Sequence, residues 1–441
     1  MYEVCLACLR AAVGLFILLV SACTLPLQAS PPPPRFGVNL AGGEGGKMPG
    51  SGDYPYGRYG YDYIYPNADE FAYFKSRGFN LVRLPVKWER VQNTLNGPLT
   101  PQDIGLIDTV IANAEAQGIQ ILIDLHNYNS YRILTASGWE SHAVSSTGAV
   151  TYAHLQDFWG RIASRYVDNP GVFGYDLMNE PGGTLANWQA AAQAAVDTIR
   201  SIDTNHWIVV EGVSWAGAQS WTANNATLHI DDPADKLMYS AHSYWDRGYQ
   251  NYVDNWKFDG LYTSYAQENG SPIMGVECLA PFVDWIVSHG YNGFVGEYGV
   301  PGTGSADSDL WNVALDNALA YLQTNGISGT YWTGGPWYGN YQLTCEPSPI
   351  TGDDRPQMSV LSRYTDSALS PGFNPQADTI LKADNIHALN QGSSWVGGIV
   401  PDANDIALWD ATVGANTVLL GSDQSWGGLA VDAAHSGNVT I

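Results

Sequence analysis

Apolar runs of four to seven residues recur along the chain, separated by longer amphipathic stretches. The runs are Phe36 to Asn39, Asn80 to Leu84, Gln120 to Leu125, Val172 to Met178, Trp207 to Val210, Leu237 to Ala241, Gly293 to Glu297 and Gly329 to Trp332. Runs this short, apolar on both faces, predict buried parallel strands. The stretches between them carry helix signals. Thr100-Pro101-Gln102-Asp103 reads as cap and first turn, followed by Ile104, Ile107, Ile111 and Ala114 on one face, with Gly118 as the stop. Asn67 with Glu70 three residues on opens another helix, carrying Phe71 and Phe74. Leu155, Phe158, Trp159, Ile162 and Tyr166 mark a third, ended at Asp168-Asn169-Pro170. Strand and helix alternating eight times predict an α/β fold, a (β/α)8 TIM barrel.

Three segments between the runs are long: Gly42 to Pro66, Asn127 to Tyr152 and His242 to Asn292. All follow strand ends, where such a barrel builds its site. After Ser367 the pattern changes to short apolar bursts with Gly, Asn, Val, Thr and seven aspartates between them. Residues 367–441 therefore read as a mainly β C-terminal tail, which faintly resembles one partial repeat of a secreted β-solenoid.

Composition narrows the function. A formal charge of −24 repels nucleic acid and anionic membrane surfaces. Sixteen Trp and 26 Tyr with only 14% charged residues supply flat rings suited to stacking on sugars, although many must be ordinary core. Residues 1–29 read as an export signal, with Arg10 before an apolar core from Ala11 to Val20 that is too short to span a bilayer. Val20-Ser21-Ala22-Cys23 resembles a bacterial lipoprotein box, making Cys23 a candidate lipid anchor, with cleavage after Ala29 as the rival. Localisation is then extracellular or on the cell envelope of a bacterium. A proline-rich spacer occupies residues 30–35, and the catalytic barrel is expected over 36–366. Cys278 and Cys345 are either a disulfide or two buried thiols. No Cys and His spacing suggests zinc, and no metal or cofactor is expected.

The chemistry sits at the strand ends. Asp176-Leu177-Met178-Asn179-Glu180-Pro181 and Gly293-Phe294-Val295-Gly296-Glu297-Tyr298-Gly299 each close a run with a carboxylate. On parallel strands of one barrel the two would emerge on the same rim and face each other. Six of the eight strand ends carry a polar or aromatic group suited to a sugar site: Arg83, His126 with Asn127, Asn179 with Glu180, His242 with Tyr244, Glu297 and Trp332. Strands one and five supply no obvious group. Taken singly, a structural ion pair is the competing account of Arg83, a turn role of Asn179, and core packing of His126, His242 and Trp332. The same holds for Trp88, Trp139, Trp215, Trp221, Trp245 and Trp337, candidates for outlying subsites.

With these residues the chain resembles glycoside hydrolase family 5, over roughly Phe36 to Tyr364. Phe36-Gly37-Val38-Asn39-Leu40, Trp88-Glu89-Arg90-Val91-Gln92, Asp124-Leu125-His126-Asn127-Tyr128 and Val213-Ser214-Trp215-Ala216-Gly217-Ala218 look most like its endo-β-1,4-glucanase branch. The resemblance implies Glu180 as acid/base and Glu297 as nucleophile of a retaining hydrolase, with Asn179 on the sugar 2-hydroxyl, Arg83 and Tyr244 aiming Glu297, and Trp332 as sugar platform. It also implies a β-glucan substrate and a monomer without protein partners. The alternatives are the same chemistry on β-mannan, xyloglucan or β-1,3-glucan, and a non-catalytic carbohydrate-binding barrel, which would be expected to have lost a carboxylate.

Overall fold

The computed structural model describes residues 35–246, 261–303 and 305–365, and parts of 379–439. The export signal, Cys23, the proline spacer and residues 247–260 lie outside the described residues.

Eight parallel strands close into a barrel: Phe36–Leu40, Leu81–Val86, Gln120–Leu125, Val172–Asp176, Trp207–Glu211, Leu237–Ser243, Asn292–Tyr298 and Ser328–Gly334. We call them barrel strands one to eight. Each pairs with its sequence neighbours, and strand eight closes on strand one through Phe36 opposite Gly329. The expected (β/α)8 architecture is the observed one, with helices such as Ala68–Ser76, Pro101–Ala116, Tyr152–Tyr166, Leu185–Arg200, Met274–His289 and Ser308–Thr324 between strands.

Local chemistry explains these elements. Asn67 Oδ1 accepts from the Asp69 amide at 2.8 Å, while Glu70 Oε2 accepts from the Asn67 amide at 2.7 Å. This reciprocal cap contributes about 1 kcal/mol to the helix it opens. Helix Met274–His289 ends at Gly290, whose φ of +67° is the left-handed conformation that only glycine adopts freely. Buried faces follow the 3.6-residue period: Leu155, Phe158, Trp159, Ile162 and Tyr166 are all buried. Two indoles pin helices to the C-terminal rim of the barrel, Trp159 donating to the Leu177 carbonyl at 3.2 Å and Trp188 to the Glu211 carbonyl at 2.7 Å.

Two long segments are more ordered than the sequence predicts. Residues 127–152 hold an antiparallel hairpin, Ser130–Thr135 with Gly138–Ser145, extended by Val150–Thr151. Exposed Arg132, Ser141 and Ala143 share one face of that hairpin with Leu134 and Trp139, and exposed Glu140 stands on the other, so it lacks the apolar contrast that marks the barrel strands. The segment from His242 to Asn292 contains the helix Met274–His289. Cys278 and Cys345 are both buried and no disulfide joins them, which resolves the alternative left open above. In the tail, Thr379–Leu381, Ile406–Trp409 and Gly428–Val431 pair in parallel, and Trp395, Trp409 and Trp426 pack together. Among the described residues no helix is long and apolar enough to cross a membrane.

Candidate active site

The period of two along each strand sorts the barrel interior into layers. Leu81, Leu122, Phe173, Val209, Met238 and Phe294 form an apolar plug of their own. Two residues further along the same strands stand Arg83, Asp124, Glu211 and Ser240, and beyond them the rim. A polar layer thus rests on a hydrophobic floor.

Arg83, on barrel strand two, is the hub of that layer and is fully buried. Its Nε donates to Asp176 at 2.8 Å, Nη1 to Asn39 at 3.0 Å and Glu297 at 3.1 Å, and Nη2 to Asn179 at 2.9 Å and Glu211 at 2.8 Å, with Asp124 at 3.1 Å. Burial opposes its charge, but the carboxylates of Asp124, Asp176, Glu211 and Glu297 outweigh it and raise its pKa. Burial pushes the Asp124 and Asp176 carboxyls well up toward their neutral forms. Each has one oxygen without a partner, which a neutral carboxyl tolerates better than an ionised one. Glu211 goes the other way: burial would raise it, yet His242, Arg83 and the Glu180 amide hold it below the usual carboxylate range. Arg83→Met removes the cation from among these acids and should destabilise the protein by about 3–5 kcal/mol in urea unfolding at neutral pH. The deficit should shrink as falling pH protonates the carboxylates; a loss under about 1 kcal/mol would contradict the hub role.

Glu180 and Glu297 meet at the mouth of the barrel. A carboxylate oxygen of each, together with a ring nitrogen of His242, lie within 4.8 Å of one another. Glu297 is held from both sides, by Arg83 on Oε1 and by the Tyr244 hydroxyl on Oε2 at 2.7 Å. Glu180 is half-buried, with a φ of +43°. Its Oε1 lies 2.9 Å from His242 Nδ1, and burial, reinforced by the charge of Glu297, raises its pKa against the opposing effect of His242. The same three side chains stand close enough to ligate a metal, but both Glu297 oxygens are taken by Arg83 and Tyr244, and His242 Nε2 by Glu211.

A cleft of about 600 Å³ opens over the pair, walled by His126, Tyr128, Asn179, His242, Tyr244, Trp332, Tyr341 and Trp215. His126 is hydrogen-bonded to Asp124 at 2.7 Å and stacks on Trp332 with centroids 5.8 Å apart. Burial pushes its pKa down to about 4, so the ring is neutral. Ser214, Trp215 and Ala216 hold consecutive positive φ angles of 60°, 61° and 51°, costly for residues with a Cβ. The result is an indole 69% exposed over the cleft, edge-on to Tyr128.

Of the residues anticipated from sequence, Arg83, His126, Asn179, Glu180, His242, Tyr244, Glu297 and Trp332 converge here. Asn127 does not reach the cleft wall. Its amide donates to Glu89 at 2.8 Å and its carbonyl oxygen accepts from the Trp88 amide at 2.8 Å, anchoring the loop behind the site. Trp88, Trp221 and Trp245 are buried core; Trp215 and Trp337 are exposed. Strands one and five, which offer no obvious group in the sequence, do contribute: Asn39 accepts from Arg83, and Glu211 joins Arg83, His242 and the Glu180 amide. The signal was present in the register, since Glu211 follows Val209 as Arg83 follows Leu81 and Asp124 follows Leu122.

Comparison with known proteins agrees with this geometry. Residues 36–336 match the family described as Cellulase (glycosyl hydrolase family 5). Endoglucanase gh5-1 of Neurospora crassa is 30% identical over 75% of the chain and 77% of its own length. The crystal structure of Pseudomonas stutzeri endoglucanase Cel5A in complex with cellobiose is 36% identical with a TM-score of 0.66, covering 76% of this chain and 94% of that one. The endo-β-1,4-glucanase Xac0029 from Xanthomonas axonopodis pv. citri is 33% identical with a TM-score of 0.64, covering 76% and 100%.

Proposed function

Since the chain belongs to glycosyl hydrolase family 5, the cellulase family, we propose that it is an endo-β-1,4-glucanase cutting cellulose or a related β-glucan with retention of configuration. The observation that carries this reading is the approach of the two carboxylates to within 4.8 Å at their nearest oxygens. Direct attack on the anomeric carbon needs carboxyl groups about 5–5.5 Å apart, whereas an inverting enzyme needs about 6.5–9.5 Å to seat a water.

In this mechanism Glu297, aimed by Arg83 and Tyr244, attacks the anomeric carbon. Glu180, its pKa raised, gives its proton to the departing glycosidic oxygen. Once Glu297 is esterified its negative charge is gone, and Glu180 takes a proton from the water that hydrolyses the glycosyl–enzyme. Asn179 offers the sugar a donor: Oδ1 is committed to Arg83, while Nδ2 is buried without a protein partner in the cleft wall. Trp332, backed by His126, provides a flat face at the cleavage point, and Trp215 another across the cleft.

The names of the relatives support β-1,4-glucan as the polymer. Reducing-sugar release from a panel of carboxymethyl cellulose, mixed-linkage glucan, mannan, xyloglucan and β-1,3-glucan tests it. Carboxymethyl cellulose and mixed-linkage glucan should be cut at least about tenfold faster than mannan, xyloglucan and β-1,3-glucan. Mannan or β-1,3-glucan leading the panel would overturn the substrate while leaving the mechanism. The N-terminal segment supports export to the cell exterior or envelope, and the parallel pairing in the tail supports a solenoid-like appendage separate from catalysis.

A further inference from the structure

We propose that Glu211, the carboxylate closing barrel strand five, is a positioning residue that fixes the ring tautomer of His242, so that His242 Nδ1 and Glu180 share one proton. The proposal rests on the reading of Glu180 as acid and base.

Glu211 is fully buried and lies outside the cleft wall. Both of its side-chain oxygens are committed to groups of the site. Oε1 accepts from Arg83 Nη2 at 2.8 Å and faces His242 Nε2 at 3.0 Å, while Oε2 accepts from the Glu180 amide at 2.6 Å. Trp188 pins the Glu211 carbonyl from behind. A carboxylate receiving two N–H groups has no proton of its own to give, so the hydrogen facing it must sit on His242 Nε2. That leaves Nδ1, 2.9 Å from Glu180 Oε1, as the nitrogen that can accept a proton from Glu180 or return it.

The two arrangements, neutral Glu180 with neutral His242 and anionic Glu180 with cationic His242, carry the same net charge. One titration therefore belongs to the pair. During glycosyl transfer the proton leaves the pair from Glu180 Oε for the glycosidic oxygen as the C–O bond breaks. In the second half-reaction it is replaced from water as the hydroxyl bonds to carbon one. The same Glu211 also secures the Glu180 backbone at its φ of +43°, a conformation that a residue with a Cβ resists.

The charged and titratable groups around the pair are Arg83 from strand two, Asp124 from strand three and Tyr128 after it, Asp176 from strand four, Glu211 from strand five, Tyr244 after strand six and Glu297 from strand seven, whose Oε2 lies 3.6 Å from His242 Nδ1. Ionised Glu211 holds the pair's proton in place; removing that charge favours losing it.

Glu211→Gln tests this. The amide keeps the volume but brings one acceptor instead of two, and no charge. The basic limb of the pH profile of kcat/KM on β-1,4-glucan should move to lower pH by about one unit, and kcat should fall about tenfold or more with KM nearly unchanged. Glu211→Asp, which keeps the charge, should return the limb toward its native position. A Glu211→Gln profile that overlays the native one after scaling would reduce Glu211 to packing and overturn the proposal. An independent reading needs neither folding of a variant at this position nor turnover. In native protein carrying nitrogen-15 histidine, with the His242 signals identified by their loss in His242→Asn, Nε2 should stay protonated across the active pH range and only Nδ1 should titrate. An unprotonated Nε2 in that range would overturn the tautomer, whatever role Glu180 proves to have.

Discussion

Glu297→Ala should lose about 10⁴-fold or more of kcat on β-1,4-glucan, with circular dichroism and thermal melting close to native. The loss follows from the chemistry assigned to this side chain, since no other group in the cleft stands opposite Glu180 with both oxygens already aimed. Alanine leaves Arg83 with Asp176, Asn39, Asn179 and Glu211, so the hub survives. Tyr244 loses its acceptor, but the cleft is open and water can replace the carboxylate. A Glu297→Ala enzyme of native activity would end the assignment of Glu297 as nucleophile.

Glu180→Ala has the second largest expected effect, and it should depend on the leaving group. On polysaccharide, departure needs a proton, and about 10²–10⁴ of the rate should go. A dinitrophenyl glycoside needs none, so its first step should stay fast while the water step, which needs a base, becomes slow. The expected signature is a burst of dinitrophenol with sugar accumulating on Glu297, detected by mass spectrometry. The raised pKa of Glu180 adds a second signature. A carboxyl whose pKa is raised keeps its proton to higher pH, so native activity should fall as pH rises through that value, and this limb should vanish in Glu180→Ala. Equal losses on both substrates with an unchanged pH profile would contradict the acid/base role.

Much of this was legible in the chain because the barrel writes itself in a simple code. Parallel strands buried on both faces appear as apolar runs, and Asn67 with Glu70 at a helix start or Gly118 after a helix end mark boundaries by local chemistry alone. Glu180 and Glu297 stood out because a carboxylate ending an apolar run contrasts with what precedes it. Glu211 ends its run equally, in Trp207-Ile208-Val209-Val210-Glu211, yet its meaning depends on register. Only the closed barrel shows that Val209 and Glu211 face inward and that Glu211 reaches groups on strands two and six and in the loop after strand four. Asn39 was equally opaque, since its partner Arg83 lies 44 positions away and its other contacts, on strands seven and eight, are more than 250 away. The hairpin at Ser130–Ser145 was missed for the opposite reason. Its strands carry exposed Arg132 and Glu140 and partly buried His142 among their apolar residues, so no continuous run announces them.

The anomeric form of the first sugar released tests the central claim most directly. Proton NMR of a β-1,4-glucan digest, followed from the first minutes before mutarotation scrambles the ends, reports it without any variant. Two displacements in succession, by Glu297 and then by water, return the β configuration, so β ends should appear first and the α form should grow in only later. If α ends appeared first, the two carboxylates would be cutting with inversion, and attack by Glu297 on carbon one would be excluded.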